Sequence, residues 1–298
     1  MDQDKSNLEP RWQTSWWLSF IFFNLVFLPL LILPFFFLEP TLTEYSTFLF
    51  IASFSANLVV IFSFNYRKWH CFGLVLHRDS LKNFLFGLLL PLIFFIPLLG
   101  ILSFWGIRFI SVSFKEILHS FYFTSLAAAS EEMIFRGVLF QRLIDKRGEV
   151  FAILTNSLFF SLVHLFNPNI SIIPLVNIFL AGVVLSLSYI KTSMLWLPIG
   201  YHIGWNFWQR FLLGSPMSGT TWGSSAVQTK ITEIFPLLFG GNFGIEGGLI
   251  TTAFLLLTAI IISKKFVPVP EVISRILLEK YSNKPIQLHS RDIEQSQL

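Results

Sequence analysis

The stretch Asn83 to Gly106, NFLFGLLLPLIFFIPLLGILSFWG, runs for 24 residues without an ionisable side chain. A membrane-crossing helix needs about 20 consecutive apolar residues to span a hydrocarbon layer of about 30 Å. This segment is long enough and apolar enough, and it carries no polar face to turn toward water. The rest of the chain has the same character: 54% of its 298 residues are hydrophobic and 13% are charged, with 36 Phe, 9 Trp and a mean hydropathy of +0.67. A soluble domain uses about 25% charged residues to cover its surface. Half that amount excludes a soluble enzyme and makes lipid the solvent. The 17 Gly and 14 Pro are scattered among apolar runs, with no long polar low-complexity block, which excludes collagen-like and disordered chains.

Seven further runs of similar type give eight expected spans in all: about 15–38, 45–65, 83–106, 117–144, 149–167, 171–190, 194–213 and 247–263. The fold class is therefore all-α, a polytopic membrane helical bundle of about eight transmembrane helices. The first run is too long for a signal-peptide core and has no small-x-small cleavage site before Glu39, so it reads as a retained span. Assigning the connections alternately to the two sides puts sixteen Lys and Arg on one side and four (Arg108, Lys115, Arg210, Lys230) on the other, with Arg136 inside a span. Positive residues collect on the cytoplasmic side, so both termini are expected there. Residues 1–263 then form a membrane-embedded domain, 264–298 a polar cytoplasmic tail, and 214–245 one long outer loop. No internal repeat suggests the inverted halves of a transporter. The lone Cys71 and the absence of any CxxC or Cys/His cluster leave no disulfide and no structural zinc signature. The net charge of +4 is a matter of loop asymmetry, and the expected partners are membrane lipids rather than nucleic acid.

Ionisable side chains away from span ends occur in three expected helices only: Glu131, Glu132 and Arg136 in the fourth, His164 in the fifth and His202 in the seventh. Such groups are costly in hydrocarbon, face the bundle interior and mark function by default. Each has a structural reading when taken alone: a histidine as interhelical hydrogen-bonding glue, a Glu–Arg pair as tolerated buried charge. Five on three helices point instead to one site. Glu132 and Arg136 are i,i+4 neighbours in the favourable order for an ion pair, which leaves Glu131, about 100° around the helix, free to act on something else. His202 and Asn206 share a face, as do Phe160 and His164. Counted from the turn at Arg147 and Gly148, Glu131 and His164 lie level, roughly 24 Å in. His202 lies only some 12 Å into its own span, so either the hairpin of spans four and five projects from the membrane or span seven begins deeper.

Glu131-Glu132-Met133-Ile134-Phe135-Arg136 resembles the EExxxR motif of the CAAX protease and bacteriocin-processing membrane family, which includes the type II CAAX prenyl endopeptidases. Phe160 to His164 resembles its FxxxH motif and His202 to Asn206 its HxxxN motif. Each is weak alone, but three in order on three separate spans are specific; the resemblance covers a core of about 117–213. It implies an intramembrane endopeptidase in which Glu131 is the general base, His164 holds and polarises the water, and His202 with Asn206 stabilises the oxyanion. Glu132, Arg136 and Phe160 would support them from behind. The substrate would be a membrane-associated peptide or a prenylated protein. No cofactor is required on this reading. The alternative is a divalent metal such as zinc on Glu131, His164 and His202, a suitable oxygen and nitrogen set that lacks the HExxH spacing. The competing class is a non-catalytic immunity or scaffold protein, or a proton-coupled transporter, using the same cluster.

The charge asymmetry makes a prediction of topology. Reporter fusions placed after Lys146 and after Pro216 are expected to report opposite sides of the membrane; the same side for both would make the span count wrong.

Overall fold

The computed structural model describes residues 15–64, 73–74, 76, 78–104, 107–229 and 235–264. Lys5, Arg11, Trp69, His70, Cys71, His77 and the tail beyond Lys264 lie outside the described residues. Helix α1 (Trp16–Ile32), prolonged by a 3-10 turn at Leu33–Phe36, pairs with α2 (Leu42–Ser63). A capping box at Thr41 and Glu44 starts α2, and another at Ser113 and Glu116 starts α5 (Phe114–Arg136); each satisfies backbone N–H groups that the first helical turn leaves open.

The stretch that opened the sequence reading forms two helices, α3 (Arg78–Leu89) and α4 (Leu92–Ser103), which together make one apolar run of 26 residues. The break falls at Pro91, which has no N–H to continue the ladder. The expected single span 117–144 is likewise divided: α5 ends at Arg136 and α6 (Val138–Arg147) begins after Gly137. Asn57 of α2 repairs that break, donating to the Met133 carbonyl (3.0 Å) and accepting from the Val138 N–H (2.9 Å). A Cβ on Gly137 would collide with the Met133 carbonyl and with Asn57. Gly148, at φ +84°, turns the chain into α7 (Glu149–Val163) and a 3-10 turn at His164–Phe166. Next come α8 (Ile172–Thr192) and α9 (Trp196–Leu213).

The connections before α5 and after α9 depart from the all-α expectation by a small ribbon, β1 (Arg108–Phe109) antiparallel to β2 (Val227–Gln228), with Arg108 opposite Gln228. A helical turn, α10 (Pro236–Phe239), and a glycine-rich return lead into α11 (Leu249–Ser263). Five described stretches are long and apolar enough to cross a membrane: Trp16–Phe36, Leu42–Ser63, Arg78–Ser103, Glu149–Phe166 and Ile172–Thr192. Leu249–Ser263 is apolar but shorter. Helices α5 and α9 pack inside this set and carry the polar residues.

The bundle is the reverse of a soluble protein. Phe36, Phe37, Phe62, Phe104 and Phe166 are exposed, while Ser53, Asn57, Ser130, Glu132, Arg136 and Ser157 are buried. Hydrocarbon lowers the gain from burying apolar groups, so small residues that permit close backbone approach hold such a bundle together. Gly200 and Gly204 of α9 lie against the backbone of Phe84 and Leu88 in α3, and Gly87 of α3 lies against Leu197 and Tyr201. Gly182 of α8 sits on Ser157 of α7, where an added Cβ would be 2.9 Å from the Ser157 Cα. On the other side of α9, Trp205 stacks with Phe94 of α4 and Phe254 of α11, each at 5.8 Å between ring centroids.

Gly204→Val is therefore expected to push α9 from α3 and lower thermal stability in detergent, by about 1–3 kcal/mol for overpacking of this kind. Gly100→Ala, in open space on α4, serves as the control and should leave the unfolding temperature unchanged.

Candidate active site

Helix α5 delivers three ionisable groups on two faces. Glu132 and Arg136 point into the bundle with fully buried side chains and form the expected i,i+4 pair, Arg136 Nη1 donating to Glu132 Oε1 at 3.2 Å. Arg136 Nη2 donates to the Gly182 carbonyl of α8 at 3.0 Å. Glu131 keeps 30% of its side chain exposed, so it is the acid of this pair that a water or a substrate can reach.

Helices α7 and α9 bring the histidines to it. Glu131 Oε2 lies 4.0 Å from His164 Nε2 and 3.8 Å from His202 Nε2. These separations exceed hydrogen-bonding distance and suit a small molecule shared by all three atoms. The far nitrogen of each ring is engaged. His164 Nδ1 lies 2.6 Å from the Phe160 carbonyl, and His202 Nδ1 lies 2.8 Å from Glu132 Oε1. A carbonyl and a carboxylate only accept, so Nδ1 carries the proton in both rings. In its neutral form, each Nε2 therefore presents a lone pair toward Glu131.

The link from Glu132 to His202 was not expected from the sequence, which paired Glu132 with Arg136 alone. Both donors converge on Oε1 of Glu132, so one carboxylate oxygen ties α5 to α9. Phe160 explains the aromatic position of its motif. Its buried ring lies 4.6 Å below the Arg136 guanidinium carbon, 4.8 Å from the His164 ring and edge-on to His202 at 6.1 Å. It packs against the arginine and both histidine rings at once. Asn206, one turn beyond His202, lines the same cavity as His164 and His202. Of the seven residues singled out from the sequence, Phe160, His164, His202 and Asn206 line one cavity; Glu131 lies against both histidines, and Glu132 with Arg136 adjoins His202. The level placement of Glu131 and His164 holds, with His164 Nε2 4.0 Å from Glu131 Oε2; α7 runs 15 residues before His164 and α9 six before His202.

One polar group of this cavity had no place in the sequence reading. Glu246, in the turn that leads into α11, is 9% exposed and lines the cavity together with the histidines. Its Oε1 accepts from Trp205 Nε1 (3.1 Å), and its Oε2 accepts from the Ser218 N–H (2.7 Å) and hydroxyl (3.0 Å). Burial pushes the Glu246 carboxyl above the usual carboxylate range, opposed by the Ser218 hydrogen bonds, His164 and Trp205. A glutamate just ahead of an apolar run reads from sequence as a span boundary, and only the fold of the loop sends it inward. His119, by contrast, is a peripheral residue that meets Thr43 at 2.9 Å.

The three atoms around Glu131 fit a tetrahedral metal poorly. Bonds of about 2.0–2.2 Å at tetrahedral angles put neighbouring ligands roughly 3.3–3.6 Å apart, and here the carboxylate oxygen is 3.8 and 4.0 Å from the two nitrogens. Among the described residues, no group of three His, Cys, Asp or Glu has metal-binding spacing.

Residues 113–208 match the family model described as type II CAAX prenyl endopeptidase Rce1-like. The matched segment begins at the cap of α5 and ends within α9, so it contains the three motifs and Glu131, Glu132, Arg136, Phe160, His164, His202 and Asn206. The match supports a CAAX-type membrane protease. No curated protein and no solved structure shows a significant match to the chain.

The geometry separates the two acids of α5. Glu132→Gln leaves Arg136 and His202 without their shared carboxylate, and removing one partner of a buried pair costs about 3–5 kcal/mol. Thermal unfolding in detergent should show that loss, with partial recovery in the Glu132→Gln/Arg136→Gln double variant, whereas Glu131→Gln should unfold close to wild type.

Proposed function

We propose that the protein is an intramembrane endopeptidase that hydrolyses a peptide bond in membrane-associated or prenylated substrates with a water activated by Glu131. The single observation that carries this reading is the convergence of one unpartnered carboxylate oxygen of Glu131 and two imidazole nitrogens, 3.8 and 4.0 Å from it, none of them hydrogen-bonded to another. Amide hydrolysis needs a nucleophile, a proton carrier and donors aimed at the developing oxyanion, and this set supplies each.

In the proposed reaction, a water sits between Glu131 and His164, donating one proton toward each. Glu131 takes a proton as the water oxygen attacks the scissile carbonyl. The Asn206 amide donates to the oxyanion. His202 does so in its doubly protonated form, since Nδ1 already donates to Glu132. The intermediate collapses as protonated Glu131 passes its proton to the departing amine, which leaves a free carboxyl and a free amine and returns the site to its starting state. No metal takes part in these steps, in keeping with the wide separations around Glu131. Glu132, Arg136 and Phe160 are positioning residues: they fix the ring of His202 and keep the Arg136 charge behind the site. We place the N-terminus, the loop around 66–82 and the tail on the cytoplasmic side, where lipidated proteins are presented.

The test is cleavage of prenylated and unprenylated membrane peptides by purified protein and its variants. Glu131→Gln should abolish turnover, a loss of at least 100-fold for a missing general base, and His164→Ala should resemble it. His202→Ala and Asn206→Ala should each cost roughly 100-fold or more in kcat if they serve the oxyanion. A Glu131→Gln protein that cleaves at near the wild-type rate would refute the assignment. An inactive wild type with Glu131-dependent proton flux in liposomes would establish a relay instead.

A further inference from the structure

The cavity beside the catalytic groups is lined by more than those groups. His164, His202 and Asn206 share it with the apolar Ile178, Ala181, Leu185 and Leu255 and with Glu246 and Ser218. The Glu246 carboxylate is nine-tenths buried, and a buried charge is retained only where it is paired and hydrogen-bonded. The hydrogen bonds are in place, but no Lys or Arg lines the cavity among the described residues. Each carboxylate oxygen accepts about two hydrogen bonds. Oε2 receives both of its donors from Ser218, while Oε1 receives one, from Trp205. One acceptor position on Oε1 is left open, and the only cation-forming side chains among the described lining residues are the two histidines of the proposed reaction.

We propose that this cavity is a specificity subsite for a basic side chain, lysine or arginine, of the substrate beside the scissile bond, with Glu246 as its anchor. The assignment rests on the peptidase reading above and adds the class of residue the enzyme selects. The methylene stem of a lysine or arginine would run along the apolar flanks while its head meets the carboxylate, supplying the donor and the positive charge together. A free C-terminal carboxylate would meet like charge there and would be disfavoured. Glu246 also holds Trp205, the residue before Asn206, so the anchor and the oxyanion donor are mechanically joined through α9 and the loop return.

The experiment is a positional scan of membrane-anchored peptides with Lys, Arg, norleucine or Glu at each position flanking the cleaved bond, using full-length protein in nanodiscs. At one position Lys and Arg should exceed norleucine by roughly tenfold or more in kcat/KM, with Glu poorest. Glu246→Gln should bring Lys and norleucine to near equality, and Ala181→Leu, which fills part of the cavity and leaves Glu246 in place, should depress Lys and Arg substrates relative to a glycine peptide added to the scan at that position. A wild type without basic preference, or a preference that survives Glu246→Gln, overturns the assignment. If wild type cleaves no peptide, the peptidase reading fails separately, and butylguanidinium decides the site. A thermal shift in wild type that is lost in Glu246→Gln supports the cation subsite; equal shifts, or none in wild type, overturn it. Should Glu246→Gln not fold, the wild-type scan and Ala181→Leu still decide the matter by the same outcomes.

Discussion

One buried carboxylate oxygen, Oε1 of Glu132, accepts from Arg136 at 3.2 Å and from His202 at 2.8 Å. Everything at the site depends on this shared acceptor. It sets the tautomer of His202, turns Nε2 toward Glu131 and joins α5 to α9, while Arg136 extends the connection to the Gly182 carbonyl of α8. A buried ion pair contributes little net stability, because desolvation offsets the attraction, yet losing one partner is severe. In a bilayer interior that asymmetry is steeper. The arrangement is therefore better read as a device for fixing geometry than as a source of stability, and it explains why two adjacent glutamates serve different ends. The one facing inward gives one oxygen to both Arg136 and His202; the one partly exposed makes no hydrogen bond to either histidine and is left for the proposed chemistry.

The close approaches of α9 to α3 and of α8 to α7 serve the same geometry. Gly200 and Gly204 bracket His202 in sequence and lie against α3, so the imidazole is carried on a helix whose opposite side is pressed to its neighbour by backbone contact. Gly182 does the same for α8, which presents the carbonyl that Arg136 needs. The outer loop completes the enclosure. Gly244, at φ +98°, lies against the Pro216 carbonyl, a conformation and an approach that a side chain would forbid, and the turn it allows carries Glu246 inward to Trp205 and Ser218. The stack of Trp205 with Phe94 and Phe254 then ties this loop return, α4 and α11 to the helix that bears the site.

Much of this was legible in the sequence because hydrocarbon penalises ionisable groups so strongly that the few present declare themselves. Glu131, Glu132, Arg136, His164 and His202 stood out for that reason, and the i,i+4 rule correctly paired Glu132 with Arg136. What sequence spacing cannot report is a contact between helices. The His202 to Glu132 bond spans 70 positions, and Asn57, which repairs the α5–α6 break, acts across 76 and 81. The division of span 117–144 at Gly137 was hidden because a glycine in an apolar run reads equally as a packing residue. Glu246 was missed for a related reason: a charged residue flanked by glycines in an outer loop looks solvated, and only the tertiary path of that loop makes it a buried wall of the cavity.

The central claim is that Glu131 and His164 hold a water, with His202 beside it for the oxyanion, and that no metal joins the three. An experimental structure of active protein with resolved solvent, recorded at and below the zinc absorption edge, tests it most directly. The account predicts a single peak about 2.6–3.2 Å from Glu131 Oε2 and His164 Nε2, at hydrogen-bonding distance, without an anomalous signal. An anomalous peak about 2.0–2.2 Å from Glu131, His164 and His202, the distance of zinc ligands, would contradict it.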